Sequence, residues 1–538
     1  MGGSLPAPQN RAPKNRDVPR TPTVQGYSLP AGRYCRRARA RVSHFWLSSE
    51  DVPVLGFILA ALAALALAAV IAPAPARAAD LFLTGEREVY LAVDKLNAMG
   101  RLPGLLANTR PYSVAAVRAA LTDNATQGGG FDGELARWVS YATKPTFLLR
   151  GTAGFEADEK RETRDNEGDI PTPKGVSARL SILAREESNP FVSAHASAAA
   201  FFGEAGDDGT RIGETALETG IPSASLQFGK IATWYGPGRR GTLIFTNNAR
   251  SYPGIRFHNP VPIPITGFFS FLGSVQYDLF FARLDEDRPV PDSMLSGMRL
   301  AARPSRYLEI GFSRAIHYGG EGHSNGLSAW WDAFKGTSDN QEGYSGNQIA
   351  GFDVTLTLPF PSQPVQAYLE MAGEDEADII GTPIPGPTKW AYLAGIFLPA
   401  ILSNPSYDLR FEYADNHRDG DGGSWYTHPY YPHDYKGRIL GHPMGTDARD
   451  LWLQGHHFFL PSTYLELTLS RTERYSLGPE KETTDRAAAG LVGWLTARVR
   501  AEAEIAQQRV ENPGGLPGPN ANDASFRVAV SYQIGSGR

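Results

Sequence analysis

The sequence predicts a mainly β fold: a transmembrane antiparallel β-barrel of about 18 strands behind a small N-terminal helical domain. Three observations carry that prediction. From about Thr146 to the end, apolar residues recur with period two. A segment with the layout of an export signal stands near the front, and no second apolar run is long enough to cross a bilayer as a helix. At roughly 20 to 25 residues per strand and connection, the roughly 390 residues that alternate give about 16 to 18 strands.

Residues 54–72, VLGFILAALAALALAAVIA, follow the cluster Arg36, Arg37, Arg39 and Arg41 and precede Ala76-Arg77-Ala78. A positive region, an apolar region and a small-residue cleavage motif in that order describe a secretory signal, cut near residue 78. The run is also at the length limit for a membrane anchor; its alanine content and the cleavage motif favour removal. The Pro/Arg-rich stretch before it is long for such a signal, which points to a translation start further down, near Val42. Residues 1–79 are therefore set apart as a pre-sequence, 80–143 as a helical domain and 144–538 as the barrel. The one cysteine, Cys35, lies in the pre-sequence, so the mature chain has no disulfide, no cysteine-based zinc site and no thiol nucleophile. Residues 1–79 hold ten Lys/Arg and three Asp/Glu, so the formal charge of −5 becomes −12 for the remainder. A general nucleic-acid binder has the opposite balance.

In the helical domain, GEREVYLAVDKLNAMGRL spaces Val89, Leu91, Val93, Leu96 and Met99 near a 3.6-residue repeat, with Gly100 as a stop. Ser113 can cap a second helix running to Leu121. In the barrel, YDLRFEYA sets Tyr407, Leu409, Phe411 and Tyr413 against Asp408, Arg410 and Glu412, and YLELTLSR repeats the pattern from Tyr464. Leu495 to Ile505, LTARVRAEAEI, has helix-favouring residues. Its strict alternation predicts a strand instead, because a helix would spread the apolar positions around its circumference. FVSAHASAAAFF has an apolar face of small residues, which suits lipid better than the bulky interior of a soluble β-sandwich.

The run FGKIATWYGPGRRGTLIFTNNARSYPGIRF, from Phe228 to Phe257, and YKGRILGHPMGTDARDLWL, from Tyr435, resemble the capsule assembly Wzi family of Gram-negative outer-membrane proteins. The resemblance covers most of the mature chain. It implies an 18-stranded barrel with a periplasmic helical bundle, a lectin-like factor that attaches capsular polysaccharide to the cell surface. One departure is the end of the chain: barrels of this kind usually finish on an aromatic residue, whereas Tyr532-Gln533-Ile534 is followed here by Gly-Ser-Gly-Arg.

Within that run, Gly236-Pro237-Gly238 allows a tight excursion of the backbone. Arg239, Arg240, Arg250 and Arg256 are too many charges to face lipid and must line the lumen or a rim. Asn247 and Asn248 suit sugar hydroxyls or the capping of a folded-in loop. Two readings follow. In one, the arginines and asparagines meet an acidic polysaccharide while Trp234 and Tyr235 offer flat apolar faces; in the other, the arginines pair with lumenal carboxylates and hold a plug.

Six of the eleven histidines fall between His417 and His457, without the spacing of a compact metal site. Asp415, Asp419 and Asp421 lack the glycine and glutamate positions of a calcium loop. The stretch reads as an exposed loop, with Trp425, Tyr426, Tyr430 and Tyr431 suited to saccharide contact or, for some of them, to an interfacial aromatic belt. A second long loop begins at Asn325, with Trp330 and Trp331 exposed or folded over the barrel mouth. His323-Ser324 lacks the form of a nucleophile elbow. The expectation is therefore a monomeric, non-enzymatic barrel in outer-membrane lipid, without cofactor or metal, whose partner is a capsular or exopolysaccharide. A porin-like diffusion channel is the alternative.

Overall fold

The computed structural model describes residues 79–121, 128–144, 147–159, 162–187, 192–204, 207–335, 346–378, 385–419 and 425–535. The signal and cleavage motif read between residues 36 and 78 lie outside them. Eighteen antiparallel strands close into a barrel. Strands β1 to β6 are Leu148–Asp158, Gly175–Glu186, Val192–Phe202, Gly209–Ile221, Ala224–Ile231 and Tyr252–His258. Strands β7 to β12 are Ser274–Arg283, Met294–Ser305, Leu308–Tyr318, Gly346–Leu358, Val365–Asp378 and Pro385–Leu398. Strands β13 to β18 are Tyr407–Asp415, Ala448–Leu460, Thr463–Arg474, Glu482–Trp494, Val499–Glu511 and Ala521–Gly535. Each pairs with the next, and β1 closes the ring on β18, from Leu148 opposite Gly535 to Asp158 opposite Ser525.

The alternation sorts side chains as lipid requires. In β13, Tyr407 and Phe411 are exposed while Asp408, Arg410 and Glu412 are buried; in β15, Leu467 and Leu469 are exposed. A wall of open leucine, isoleucine and phenylalanine would drive aggregation in water and matches the hydrocarbon of a bilayer. No helix among the described residues is long and apolar enough to cross a membrane. Between β3 and β4 the register shifts at Ala196/Ala198. There the buried Glu214 accepts the Leu83 and Thr84 N–H groups at 3.2 and 3.4 Å, the re-aiming of a side chain that bulges permit.

One strand boundary differs from the sequence reading. β17 begins at Val499, and residues 495–498 form the turn from β16, with the Leu495 and Thr496 N–H groups both on the Val499 carbonyl. A hairpin turn has no facing requirement, so the alternation across its residues was coincidental.

Helices α1 (Arg87–Ala98), α2 (Val114–Ala120) and α3 (Gly130–Ala142) precede the barrel. α1 stops before Gly100, whose φ is +72°, and Ser113 Oγ caps α2 by accepting the Ala115 and Ala116 N–H groups. Leu96, Leu102, Val117, Leu135 and Val139 form a fully buried core among these helices. The helices sit at the barrel end whose connections, apart from 259–273, are short, and there Leu91 packs on Phe458, Tyr464 and Val492. The opposite end carries the long connections, including 159–174, 232–251, 319–345 and 416–447. Two of these, 232–251 and, in its described residues, 416–447, fold back into the lumen. β5 and β6, of eight and seven residues, are the shortest strands because the chain leaves the wall between them.

Candidate functional site

The segment Trp234–Phe257 begins inside the barrel with a two-residue ladder: Trp234 and Tyr235 pair with Arg110 and Thr109 of the helical region. Trp234 is buried, its Nε1 donating to the Gly238 carbonyl at 3.1 Å, and the Arg110 guanidinium lies 5.7 Å from its ring centroid. Tyr235 is also buried; its hydroxyl donates to Asp278 at 2.6 Å and its ring meets Phe245 edge-on. Neither ring is an open face for a sugar. Gly236 has φ +132°, and a Cβ there would lie 2.6 Å from the Glu370 carboxylate, so the turn admits only glycine.

The paired asparagines are staples. Asn247 Nδ2 donates to the Asn166 carbonyl at 3.1 Å, while Asn248 donates to the Ile439 carbonyl at 3.0 Å and accepts from Arg438 at 2.5 Å. They tie the 159–174 and 416–447 connections to this segment. Two of the four arginines are struts as well. Arg256 is buried between Asp278 at 3.3 Å, Asp80 at 3.6 Å and Thr233 at 2.7 Å, and Arg250 pairs with Asp169.

Arg239 and Arg240 differ. Their backbone N–H groups donate to the two oxygens of Glu412, at 2.6 and 2.8 Å. This clamp recurs along the wall. Glu370 accepts the Leu243 N–H at 2.8 Å, Glu374 the Tyr426 N–H at 2.7 Å, and Glu309 those of Ala107 and Asn108 at 2.9 Å. Inward-folded loops lack a strand partner for their N–H groups, and lumenal carboxylates supply acceptors.

The lumen is consequently divided. On the side of β7 to β13, Leu243, Ile244 and Phe245 pack with Trp425, Leu440 and Met444 in an apolar core against Phe280, Ile349 and Leu393. On the other side, β1 to β4 and β14 to β18 enclose a cavity of about 770 Å³ that, among the described residues, is lined by twelve arginines, nine carboxylates and no lysine. It runs along the wall from Arg150 and Ser531 to Pro513 in a connection at the long-loop end. The side chains of Arg239 and Arg240 both reach it.

Most of these arginines have close partners: Arg164 with Glu504 at 2.8 Å, Arg527 with Glu167 at 2.9 Å, and Arg240 with Asp165 at 2.8 Å. Arg239 is less compensated. Its carboxylate, Asp94, lies 4.0 Å away and also serves Arg110 at 3.3 Å, Arg410 at 4.0 Å and the Tyr112 hydroxyl at 2.7 Å. Burial, together with the guanidiniums of Arg110, Arg87 and Arg410, pulls the Arg239 pKa below the ordinary arginine value. An anion entering the cavity would relieve that excess.

The aromatic loops correct the sequence reading in part. Trp330, on helix α4 (Leu327–Lys335), is buried against Phe281 and Phe334, while Trp331 is 41% exposed and stacks on Phe334. In the 416–447 connection, Trp425, Tyr426 and Tyr431 are buried and only Tyr430 of the four aromatics is open, at 56%. Among the described residues of the stretch expected as an exposed loop, Trp425, Tyr426 and Tyr431 serve packing, while Thr427, Pro429 and Tyr430 are exposed. Trp331 and Tyr430 are the aromatic candidates left with accessible faces.

The histidines of this connection are also packed. His433 donates from Nε2 to the Ile244 carbonyl at 2.6 Å, so its Nδ1 accepts from His317 Nε2 at 2.9 Å. Burial pushes both His433 and His442 down to about 4. An opened loop would take up protons near pH 6.5 that the packed loop refuses. The inward packing therefore keeps its full contribution above about pH 6.5 and loses it as pH falls toward 4, by roughly 3 kcal/mol for each histidine. Ion conductance of the purified barrel in a planar bilayer should rise between pH 6 and pH 4. His433→Gln with His442→Gln should flatten the profile; identical profiles would contradict this account.

The lumenal acceptors Glu309, Glu370, Glu374 and Glu412, and the shared Asp94, were not singled out in the sequence. Their signal was present only as glutamate at inward positions of alternating strands, as in FEYA and YLEM, with nothing to say which loop each would hold.

Comparison with known proteins agrees with this architecture. The family described as Capsule assembly protein Wzi matches residues 150–525. A solved Escherichia coli structure is titled Wzi, an outer-membrane protein involved in group 1 capsule assembly and a carbohydrate-binding β-barrel. It aligns with 84% of this chain and 99% of its own, at 19% identity and a TM-score of 0.66; at that identity the likeness concerns the fold. A Klebsiella pneumoniae relative, described as an uncharacterized 55.8 kDa protein in the cps region, is 33% identical over 174 residues. That match spans 32% of this chain and 33% of the relative's length. With the family match extending from the first barrel strand into the last, over a barrel of the same architecture, the chain belongs to the capsule assembly protein Wzi family of Gram-negative outer-membrane proteins.

Proposed function

We propose that this barrel attaches an acidic capsular or exopolysaccharide to the cell surface, with the arginine-lined cavity as the anionic subsite. The observation that carries the reading is Arg239, held at the cavity by the Glu412 clamp with its charge only partly balanced by a distant, shared Asp94. Arg240 stands beside it, and Trp331 and Tyr430 are the accessible rings for sugar faces. Arg250, Arg256, Asn247, Asn248, Trp234, Tyr235 and Trp425 hold the inward segment in place, whereas Trp330 anchors α4 on Phe281 and Ile316. The long loops face the exterior and the helices the periplasm, as is usual for such barrels. The chain is cleaved near residue 78 and acts as a monomer without catalysis.

The diffusion-channel alternative needs a water-filled passage, whereas one side of the lumen is apolar packing and helices pack at one end. A purified-polysaccharide binding measurement separates the two. Each charge-assisted contact contributes about 1.5–3 kcal/mol, so Arg239→Gln with Arg240→Gln should weaken binding at least tenfold. Raising the salt should weaken wild-type binding, since screening acts over about 8 Å at physiological ionic strength. Binding that responds to neither substitution nor salt would overturn the proposal.

A further inference from the structure

Outside the lining of the arginine cavity, three buried side chains from different parts of the chain meet at the end of the barrel that carries the helices. Asp80 comes from the stretch preceding α1, Glu218 from β4, and His258 ends β6. Each offers a ligand atom, and these atoms lie within 4.8 Å of one another. All three residues are at most 4% exposed.

The oxygens divide into used and unused. Asp80 Oδ2 accepts from Gln227 Nε2 at 3.3 Å and lies 3.6 Å from Arg256. Glu218 Oε1 accepts from Ser225 Oγ at 2.7 Å and faces His258 Nε2 at 2.9 Å. The second oxygen of each carboxylate, Asp80 Oδ1 and Glu218 Oε2, is buried and takes no hydrogen bond from the described residues. A buried carboxylate oxygen left without a donor is costly unless a cation faces it. Nearby charge does not settle the debt, because Arg256 also serves Asp278 at 3.3 Å.

We propose that Asp80, Glu218 and His258 bind a divalent transition-metal ion of the Zn²⁺ type. Two carboxylate oxygens and one imidazole nitrogen are an N/O donor set suited to zinc, with metal–ligand distances near 2.0–2.2 Å. Ligand atoms around a tetrahedral ion at those distances stand about 3.3 Å apart, so the side chains need move little. The proton between His258 Nε2 and Glu218 Oε1 leaves to solvent as the ion takes its place. Asp80 is held by backbone bonding of its neighbours, Leu81 N–H to the Tyr112 carbonyl and Val114 N–H to the Ala79 carbonyl. An ion here would therefore pin the helical region to the barrel wall across β4 and β6.

The test uses the full folded barrel in detergent, equilibrated with Zn²⁺ alone, desalted and measured for metal content. One equivalent per chain is expected. Asp80→Asn with Glu218→Gln should lower the affinity by at least about a hundredfold, since even indirect ligand partners contribute 10–100-fold. Zinc content equal in wild type and variant, or no zinc retained by wild type, overturns the site. A variant that does not fold leaves a second readout on the wild type, X-ray absorption of the bound ion. One imidazole with oxygen neighbours is the expected shell; two or more imidazoles would place the ion elsewhere and overturn the assignment.

Discussion

Replacing Asp408 with alanine should cost the folded barrel about 3–5 kcal/mol, the usual penalty for stripping one partner from a buried ion pair. Lys95 on α1 is fully buried and its Nζ lies 3.0 Å from Asp408 Oδ2. The other oxygen of Asp408 binds His456 Nδ1 at 2.7 Å, and His456 Nε2 reaches Glu466 at 3.0 Å, which pairs with Arg87. This chain of charges joins α1 to β13, β14 and β15. Without Asp408, Lys95 keeps only the Pro399 carbonyl and the face of Phe458. The heat-resistant, fast-migrating form on a gel should convert at a markedly lower temperature. Lys95→Met together with Asp408→Leu should recover part of the loss, because it removes the stranded ammonium while His456 Nδ1 still lacks its acceptor. If the double substitution is as unstable as the single one, the pair is not what secures the helix.

The second large effect should come from Glu412→Ala. Glu412 holds two consecutive N–H groups and accepts the Tyr368 hydroxyl at 2.5 Å. Its removal leaves three donors without their acceptor, each worth about 1–3 kcal/mol when buried and unsatisfied. The inward segment around Arg239 should then populate open states, and conductance should rise at least tenfold while the barrel stays assembled. Polysaccharide binding should fall in the same variant, since the Arg239 side chain is positioned by that clamp. Unchanged conductance with unchanged binding would show that the segment is held by its apolar packing alone.

These two residues illustrate what was legible in the sequence. The wall was, because lipid imposes one face on every strand: the alternation around Asp408 and Glu412 gave both the strands and their inward direction. The helical region was legible through Gly100 and Ser113, whose roles are local. The contents of the lumen were not. Trp234, Tyr235 and Trp425 have the composition of a sugar-binding surface, yet an aromatic ring in a glycine-rich loop is equally suited to packing, and only the loop's path decides. Arg239 and Arg256 stand seventeen residues apart in one segment and looked equivalent. One faces a cavity with a shared counter-ion and the other is enclosed by Asp80, Asp278 and Gln227. The difference is made by residues from Asp80 to Asp278, a separation that no local pattern records.

Surface retention of polysaccharide tests the account most directly. In a deletion strain, polymer should shift from the cell-bound fraction to the medium, and the wild-type gene should reverse the shift. Arg239→Gln with Arg240→Gln, expressed to the same level of heat-modifiable barrel, should leave the polymer in the medium. If that variant retains polymer as well as wild type does, or if deletion releases none, the arginine-lined cavity is not the attachment site.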